Sequence, residues 1–117
     1  MKGIYLLIIR VSKPVSVRVG ALGVLHFPKG YYIYVGSAQN SLKNRIERHL
    51  RKDKRKHWHI DYLLEHGEVV RMLVYPNLAK SWEERIARIL ENHFLPIPGF
   101  GCSDTNSSSH LFLLENL

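Results

Sequence analysis

Gly3-Ile4-Tyr5-Leu6-Leu7-Ile8-Ile9 runs seven residues without a charge. Large aliphatic and aromatic side chains at both odd and even positions predict a strand buried on both faces. Tyr31-Tyr32-Ile33-Tyr34-Val35 has the same character and predicts a second strand, with Gly36 as its stop. Between them, Val15-Ser16-Val17-Arg18-Val19 alternates with period two, as a half-exposed strand does, after the Lys13-Pro14 break. Residues 20–23 carry a glycine at each end and read as a turn. Val24-Leu25-His26-Phe27 reads as a short strand ended by Pro28-Lys29-Gly30. The first third is therefore expected to be antiparallel sheet built from hairpins.

Helical spacing begins after it. Asn40 or Ser41 is placed to cap a helix in which Leu42, Ile46, His49 and Leu50 share a face. Residues 58–65 suggest a shorter helix with Trp58, Tyr62 and Leu63 inward, ended by His66-Gly67. Val69 to Tyr75 reads as a strand closed by Pro76-Asn77, residues 81–94 as a helix, and 111–114 as a last strand. Pro96-Ile97-Pro98-Gly99 is a break, followed by a polar loop over 102–109. Hairpin-linked strands followed by interspersed helices give an α+β class: a small central antiparallel or mixed sheet flanked by helices.

The chain has 117 residues, one ordinary domain's worth, and is expected to form a single domain over 1–117. One cysteine, Cys102, excludes an internal disulfide framework and a four-cysteine zinc site. No apolar run approaches the roughly 20 residues of a membrane span. Residues 1–10 carry no small-residue cleavage signal, so they are expected to be structure and the domain cytoplasmic (intracellular) with no membrane partner.

Seventeen Lys and Arg against ten Asp and Glu give a net charge of +7. The charge is concentrated: Lys43, Arg45, Arg48, Arg51, Lys52, Lys54, Arg55 and Lys56 are opposed only by Glu47 and Asp53, and His57, Trp58 and His59 follow directly. Cations next to aromatic and imidazole groups suit a phosphate backbone with nearby bases, so this run is the expected nucleic-acid contact. A solvated helix face and a charged loop would give the same composition.

One acid stands out. At 100° per residue, Trp82, Ile86, Ile89, Leu90, His93 and Phe94 form one apolar arc of the last long helix, and Glu83 falls inside it. Glu84 falls outside, and with Ser81 three residues earlier it has the spacing of a capping box. A carboxylate aimed at a core needs a partner, either an arginine at the core's edge or a cation such as Mg²⁺. On the first helix Arg45 and His49 are four apart and stack on one face. His49 has the position of a satisfied core imidazole, while Arg45 beside it could set its planar fork on a phosphate. Tyr5 and Tyr34 sit on neighbouring strands in glycine-flanked contexts.

Gly3-Ile4-Tyr5, then Tyr34-Val35-Gly36-Ser37-Ala38, Arg45, His49 and a glutamate on a later helix resemble, in that order, the GIY-YIG nuclease superfamily. Three further segments are similar to the small single-domain Uri-type endonuclease branch: His57-Trp58-His59-Ile60-Asp61-Tyr62-Leu63-Leu64, Pro98-Gly99-Phe100-Gly101-Cys102-Ser103-Asp104 and Ser109-His110-Leu111-Phe112. The resemblance implies a GIY-YIG-like fold with an extra N-terminal hairpin over 15–27, which accounts for the 34 − 5 = 29 positions between the two tyrosines. It implies phosphodiester hydrolysis with one divalent metal, Mg²⁺ or Mn²⁺, on nucleic acid, with DNA the expected substrate. Tyr5 would activate or orient water with Tyr34 beside it, Arg45 would hold the scissile phosphate, His49 would assist proton transfer or positioning, and Glu83 would hold the metal. Thr105 and Ser107 stand where that branch carries two cysteines, which argues against zinc or redox chemistry there. Asp104 and His110 are candidates to line the site or to belong to an ordered polar loop, and His59 and Asp61 to form a helix start or part of the substrate groove. The competing function is a non-catalytic nucleic-acid-binding module that keeps the fold.

Overall fold

The computed structural model describes residues 1–101 and 107–116, with backbone alone at 115 and 116. Cys102, Asp104 and Thr105 lie outside the described residues. Five antiparallel strands form the central sheet in the order β5-β1-β4-β7-β6. They are β1 (Gly3–Val11), β4 (Gly30–Ala38), β5 (Glu68–Pro76), β6 (Leu95–Pro96) and β7 (Leu111–Asn116). The class is α+β, as expected. In the first third, however, β1 pairs directly with β4, and the hairpin of β2 (Val15–Arg18) and β3 (Val24–Phe27) forms its own two-stranded ribbon. The hairpin is an excursion from the sheet.

Both faces of β1 are covered, which explains its unbroken apolar run. Tyr5, Leu7, Ile9 and Val11 face α1 (Leu42–Leu50), α2 (His59–Leu63) and the ribbon, packing with Leu42, Ile60, Leu63 and Phe27. Ile4 and Leu6 face α3 (Ser81–Glu91), packing with Ala87, Ile33, Val35 and Phe112. Two glycines set the spacing. A Cβ on Gly3 would collide with the Tyr75 carbonyl oxygen and Leu42 Cδ1, and one on Gly36 with the Tyr5 ring. Gly36 therefore does not stop β4. The strand runs through it to Ala38, because the missing side chain leaves room for Tyr5, its cross-strand partner.

Helix limits depart from the sequence expectation at several ends. Ser41 caps α1, its Oγ accepting from Asn44 N–H at 3.1 Å. Leu50 is exposed, since α1 ends on it and points away from β1. The second helix is shorter than 58–65, and Trp58 and Tyr62 are only half-buried while Ile60 and Asp61 are buried. Helix α3 stops at Glu91, short of 94, and its N-cap position is Lys80, so the Ser81/Glu84 capping box does not form. Glu84 instead pairs with Arg88 across the helix surface at 2.8 Å. The inward face of α3 carries Glu83, Ile86, Ala87 and Leu90, with Phe94 packing in after its end, while Trp82 and Ile89, and His93 beyond the end, are turned outward. Pro96, expected to open a break, instead forms with Leu95 a two-residue edge strand against β7.

Asp61 ties the basic segment to the core. Its fully buried carboxylate accepts from Arg48 Nη1 and Nη2 at 2.9 and 3.0 Å and from the backbone N–H groups of His57 and Trp58 at 2.7 and 2.9 Å. Burial alone would raise this carboxyl, but the Arg48 and backbone hydrogen bonds outweigh it and hold it below its ordinary value. Removing the acid leaves a guanidinium and two N–H groups without their acceptor. Asp61→Ala is expected to lose about 3 kcal/mol in urea denaturation. Because folding lowers this pKa, protons favour the unfolded chain. The contribution is complete above about pH 4 and disappears as the pH falls through the lower folded-state value, visible as an acid limb in the wild-type stability profile that Asp61→Ala lacks.

Candidate active site

The β1–β4 register sets the two phenols on one face. Tyr5 lies opposite Gly36, and Leu7 opposite Tyr34. Helix α1 crosses this face and buries His49, whose Nε2 is 2.6 Å from Tyr5 Oη. The imidazole also sits near the Tyr34 and Trp58 rings, with centroid distances of 6.3 and 6.0 Å. One turn earlier on α1, Arg45 donates from Nη1 to the Ser37 carbonyl at 2.8 Å, and its guanidinium carbon lies 4.2 Å from the Trp58 centroid. The guanidinium is thus held by a strand end below and an indole beside it.

Glu83 comes from the other side of the sheet. It can meet the phenols because strand β7 ends early. β7 pairs with β4 only as far as Tyr34, with one further link from Val35 N–H to the His110 carbonyl at 2.9 Å. Beyond that point no strand among the described residues pairs with Gly36 and Ser37 on that flank, and the gap is a polar cleft of about 200 Å³. Tyr5, Tyr34, Arg45, Trp58 and Glu83 line it, together with Gly36, Ser37, Gln39, Lys80 and Gly101. The Glu83 side chain is 13% exposed, with Oε2 3.8 Å from His110 Nδ1. His110 is itself buried, its Nε2 3.0 Å from Ser107 Oγ. Of the five residues singled out in the sequence, four line this cleft and His49 stands behind Tyr5.

Burial fixes the protonation states. Burial raises Tyr5 to about 12, although the adjacent Arg45 pulls the other way. Tyr34 is raised well above its ordinary value by burial and then by Tyr5 and Glu83. His49 is lowered to about 4 by burial first and Lys54 second. All three are neutral at pH 7. His49 Nδ1 is buried without a hydrogen-bond partner among the described residues. A buried bare lone pair costs less than a buried orphan N–H, which places the proton on Nε2. The His49 Nε2–H therefore donates to Tyr5 Oη, and the phenol's own proton is left to point elsewhere.

The donor set bears on a metal. No group of three or more His, Cys, Asp or Glu gathers among the described residues. A single carboxylate beside hydroxyls and a carbonyl, in a cleft open to water, fits the needs of Mg²⁺ or Mn²⁺, which keep several waters and draw the rest from substrate phosphate.

The basic run divides in two. Arg48 is committed to Asp61 and the Arg55 carbonyl, and its guanidinium carbon lies 4.4 Å from the Trp58 centroid. Lys52 Nζ donates to the Leu64 and Gly67 carbonyls behind α2 at 2.6 and 2.9 Å. Lys54 Nζ donates to the Arg48 and His49 carbonyls at the end of α1 at 3.1 and 2.9 Å. These three are ligands for helix ends and for one acid. Lys43, Arg51, Arg55, Lys56 and His57 remain exposed, with Lys56 in a surface pair with Glu65 at 3.2 Å. His59 Nδ1 accepts the Gly101 N–H at 2.8 Å, tying α2 to the cleft's rim, and Asp61 serves as the helix start. Gln39 and Lys80 are cleft residues the sequence reading passed over. Lys80 lies three residues before Glu83, so the helix spacing was the available signal.

Two outcomes follow from this packing. Gly36→Ala forces its methyl into the Tyr5 ring and is expected to cost about 1–3 kcal/mol by urea denaturation. In a Tyr5→Ala background the same change costs less, since the ring it meets is gone. The His49 ring signals in NMR should stay those of a neutral imidazole from pH 8 to pH 5, with protonation only near pH 4.

No curated protein and no solved structure matches the chain. A family model described as a domain of unknown function, DUF123, matches residues 4–117, and by that match the chain belongs to the DUF123 family.

Proposed function

We propose that the protein is a divalent-metal-dependent endonuclease that hydrolyses phosphodiester bonds in nucleic acid, with DNA as the substrate. The observation that supports it is the meeting of Tyr5, Tyr34, Arg45 and Glu83 in one polar cleft although they come from opposite faces of the sheet. Besides its contact with His110 at 3.8 Å, the Glu83 carboxylate shares this cleft with two phenols and a guanidinium, a set that suits a phosphate and a hydrated cation. The resemblance to the GIY-YIG nuclease superfamily adds the reaction class.

Glu83, with substrate phosphate and water, would hold the Mg²⁺ or Mn²⁺. When bound, the ion supplies Lewis-acid stabilisation of charge on the phosphoryl oxygens. Arg45, fixed by the Ser37 carbonyl and Trp58, presents the remainder of its fork to a non-bridging oxygen, where charge grows in the transition state. Tyr5 has one lone pair occupied by the His49 Nε2–H. Arg45 also hydrogen-bonds this phenol, so its own O–H is left to donate to the attacking water's oxygen and hold it in line, and Tyr34 donates to the phosphate. With a pKa near 4, His49 is a poor proton sink, so its part is to position Tyr5. The water's oxygen bonds to phosphorus as the bond to the leaving sugar oxygen breaks. The water's proton reaches that oxygen by exchange with solvent across the open cleft. Lys43, Arg51, Arg55, Lys56 and His57 supply the exposed phosphate contacts.

The test incubates pure protein with plasmid, branched DNA and structured RNA, with Mg²⁺ or Mn²⁺ against chelator. Cleavage should need the metal, vanish in Glu83→Gln and fall about 10²–10³-fold in Arg45→Ala. Tyr5→Phe should fall by about 10²-fold, and Glu84→Gln should cut as wild type. If wild type and Glu83→Gln bind nucleic acid equally and neither cuts any substrate, the domain is a binding module.

A further inference from the structure

The two edges of the sheet are treated differently. On one side the edge strand is β6, two residues long and ending in Pro96, which leaves little backbone to pair with. On the other side is β5, nine residues long and bonded, among the described residues, to β1 alone. Its apolar side chains stay open on both faces: Met72 is 39% exposed, Leu73 41%, Val74 41% and Tyr75 42%. Leu73 and Tyr75 lie on the α3 face, opposite Leu6 and Ile4, and Met72 and Val74 lie on the α1 face, opposite Leu7 and Tyr5.

The patch continues onto α3. Ser108 Oγ donates to Glu91, which puts that flank of α3 toward β7. Trp82 and Ile89 (36% and 55% exposed) occupy the opposite flank, the one toward β5. In a chain of net charge +7, this edge carries Arg71 as the one charge within the run 69–76. Large apolar side chains on both faces of an unpaired strand invite a partner that supplies both backbone and apolar cover.

We infer that β5 pairs with β5 of a second copy of this chain, antiparallel, about a two-fold axis through Leu73. The register picks the occupant. A two-fold that extends the sheet is perpendicular to it and pairs residues of like face. A β-bulge at Val70 and the proline at 76 bound the regular stretch to residues 71–75, whose centre is Leu73. With the axis there, Leu73 meets Leu73 of the second copy and Met72 meets Val74. Arg71 lies opposite Tyr75, a cation over an aromatic ring. An axis at Arg71 would set two guanidiniums against each other. The strand is thus self-complementary over its whole regular length in one register, and Trp82 and Ile89 of both copies flank the seam. This inference does not depend on the nuclease reading.

Light scattering coupled to size exclusion, from about 1 to 100 μM, reads the outcome. Wild type should have twice the 13.6 kDa chain mass. Leu73→Lys and Val74→Lys, on opposite faces, should each weaken the dimer at least ~100-fold and run as monomers with unchanged circular dichroism. Leu73→Cys in a Cys102→Ser background should oxidise to a covalent dimer. A monomeric wild type, a dimer that survives both lysines, or a Leu73→Cys protein that stays uncrosslinked would overturn the proposal. A monomer that captures a β-strand peptide would assign the edge to a foreign partner and overturn it equally.

Discussion

The Tyr5 ring rests on the bare Cα of Gly36, and the cleft depends on that close approach. A side chain at 36 would fill the space the phenol occupies, lift it from His49 Nε2 and close the opening that Glu83 reaches. The glycine's contribution is absence: it weakens β4 slightly as a strand residue and in exchange admits a buried ring. The early end of β7 completes the arrangement. With no described strand paired to β4 past Val35 on that flank, groups from both layers of the domain reach one another through the sheet. An acid from α3 and a guanidinium from α1 would otherwise be separated by a continuous strand.

Burial then sets the chemical character of what meets there. Desolvation raises both phenols and lowers His49, so the cleft presents neutral hydroxyls, backed by an uncharged imidazole, beside Arg45, Lys80 and Glu83. Such a cleft orients and polarises a bound group and does little proton transfer of its own. The same physics decides the basic run. Arg48 is worth more to the fold bound to Asp61 than to a ligand at the surface, because leaving a fully buried carboxylate unpaired would be costly. Lys52 and Lys54 likewise spend their protons on carbonyls that α2 and α1 leave unsatisfied. Clustered charge in a sequence therefore overstates the cationic surface available to a polyanion.

Elements whose signal is local were legible. The apolar run of β1, the period of β2 and the Ser41 cap of α1 each follow from a few adjacent residues, and each forms where expected. The inward position of Glu83 was legible from helix period alone, since one turn of α3 fixes which side chains share a face. The capping box at Ser81 was not. Its spacing is local, but the preceding residues had to be non-helical for Ser81 to be the cap, and Lys80 is already in helical conformation. Nor was the exposure of Trp82 and Ile89, which period sets on one arc with Leu90 and which the packing leaves outside.

The amino-acid order by itself determined the long strands, the three helices to within a few residues and the α+β class, because period, capping and glycine placement are set over a few bonds; that five polar side chains act together is what the family resemblance implied. Tertiary structure alone decided that the β2–β3 hairpin stands apart from the central sheet, that Gly36 is a passage and not a stop, that Lys80 and Gln39 share the cleft, and which basic residues are tied to acceptors of the fold. Those outcomes turn on contacts between residues dozens of positions apart, where register and desolvation choose among partners that no local pattern distinguishes.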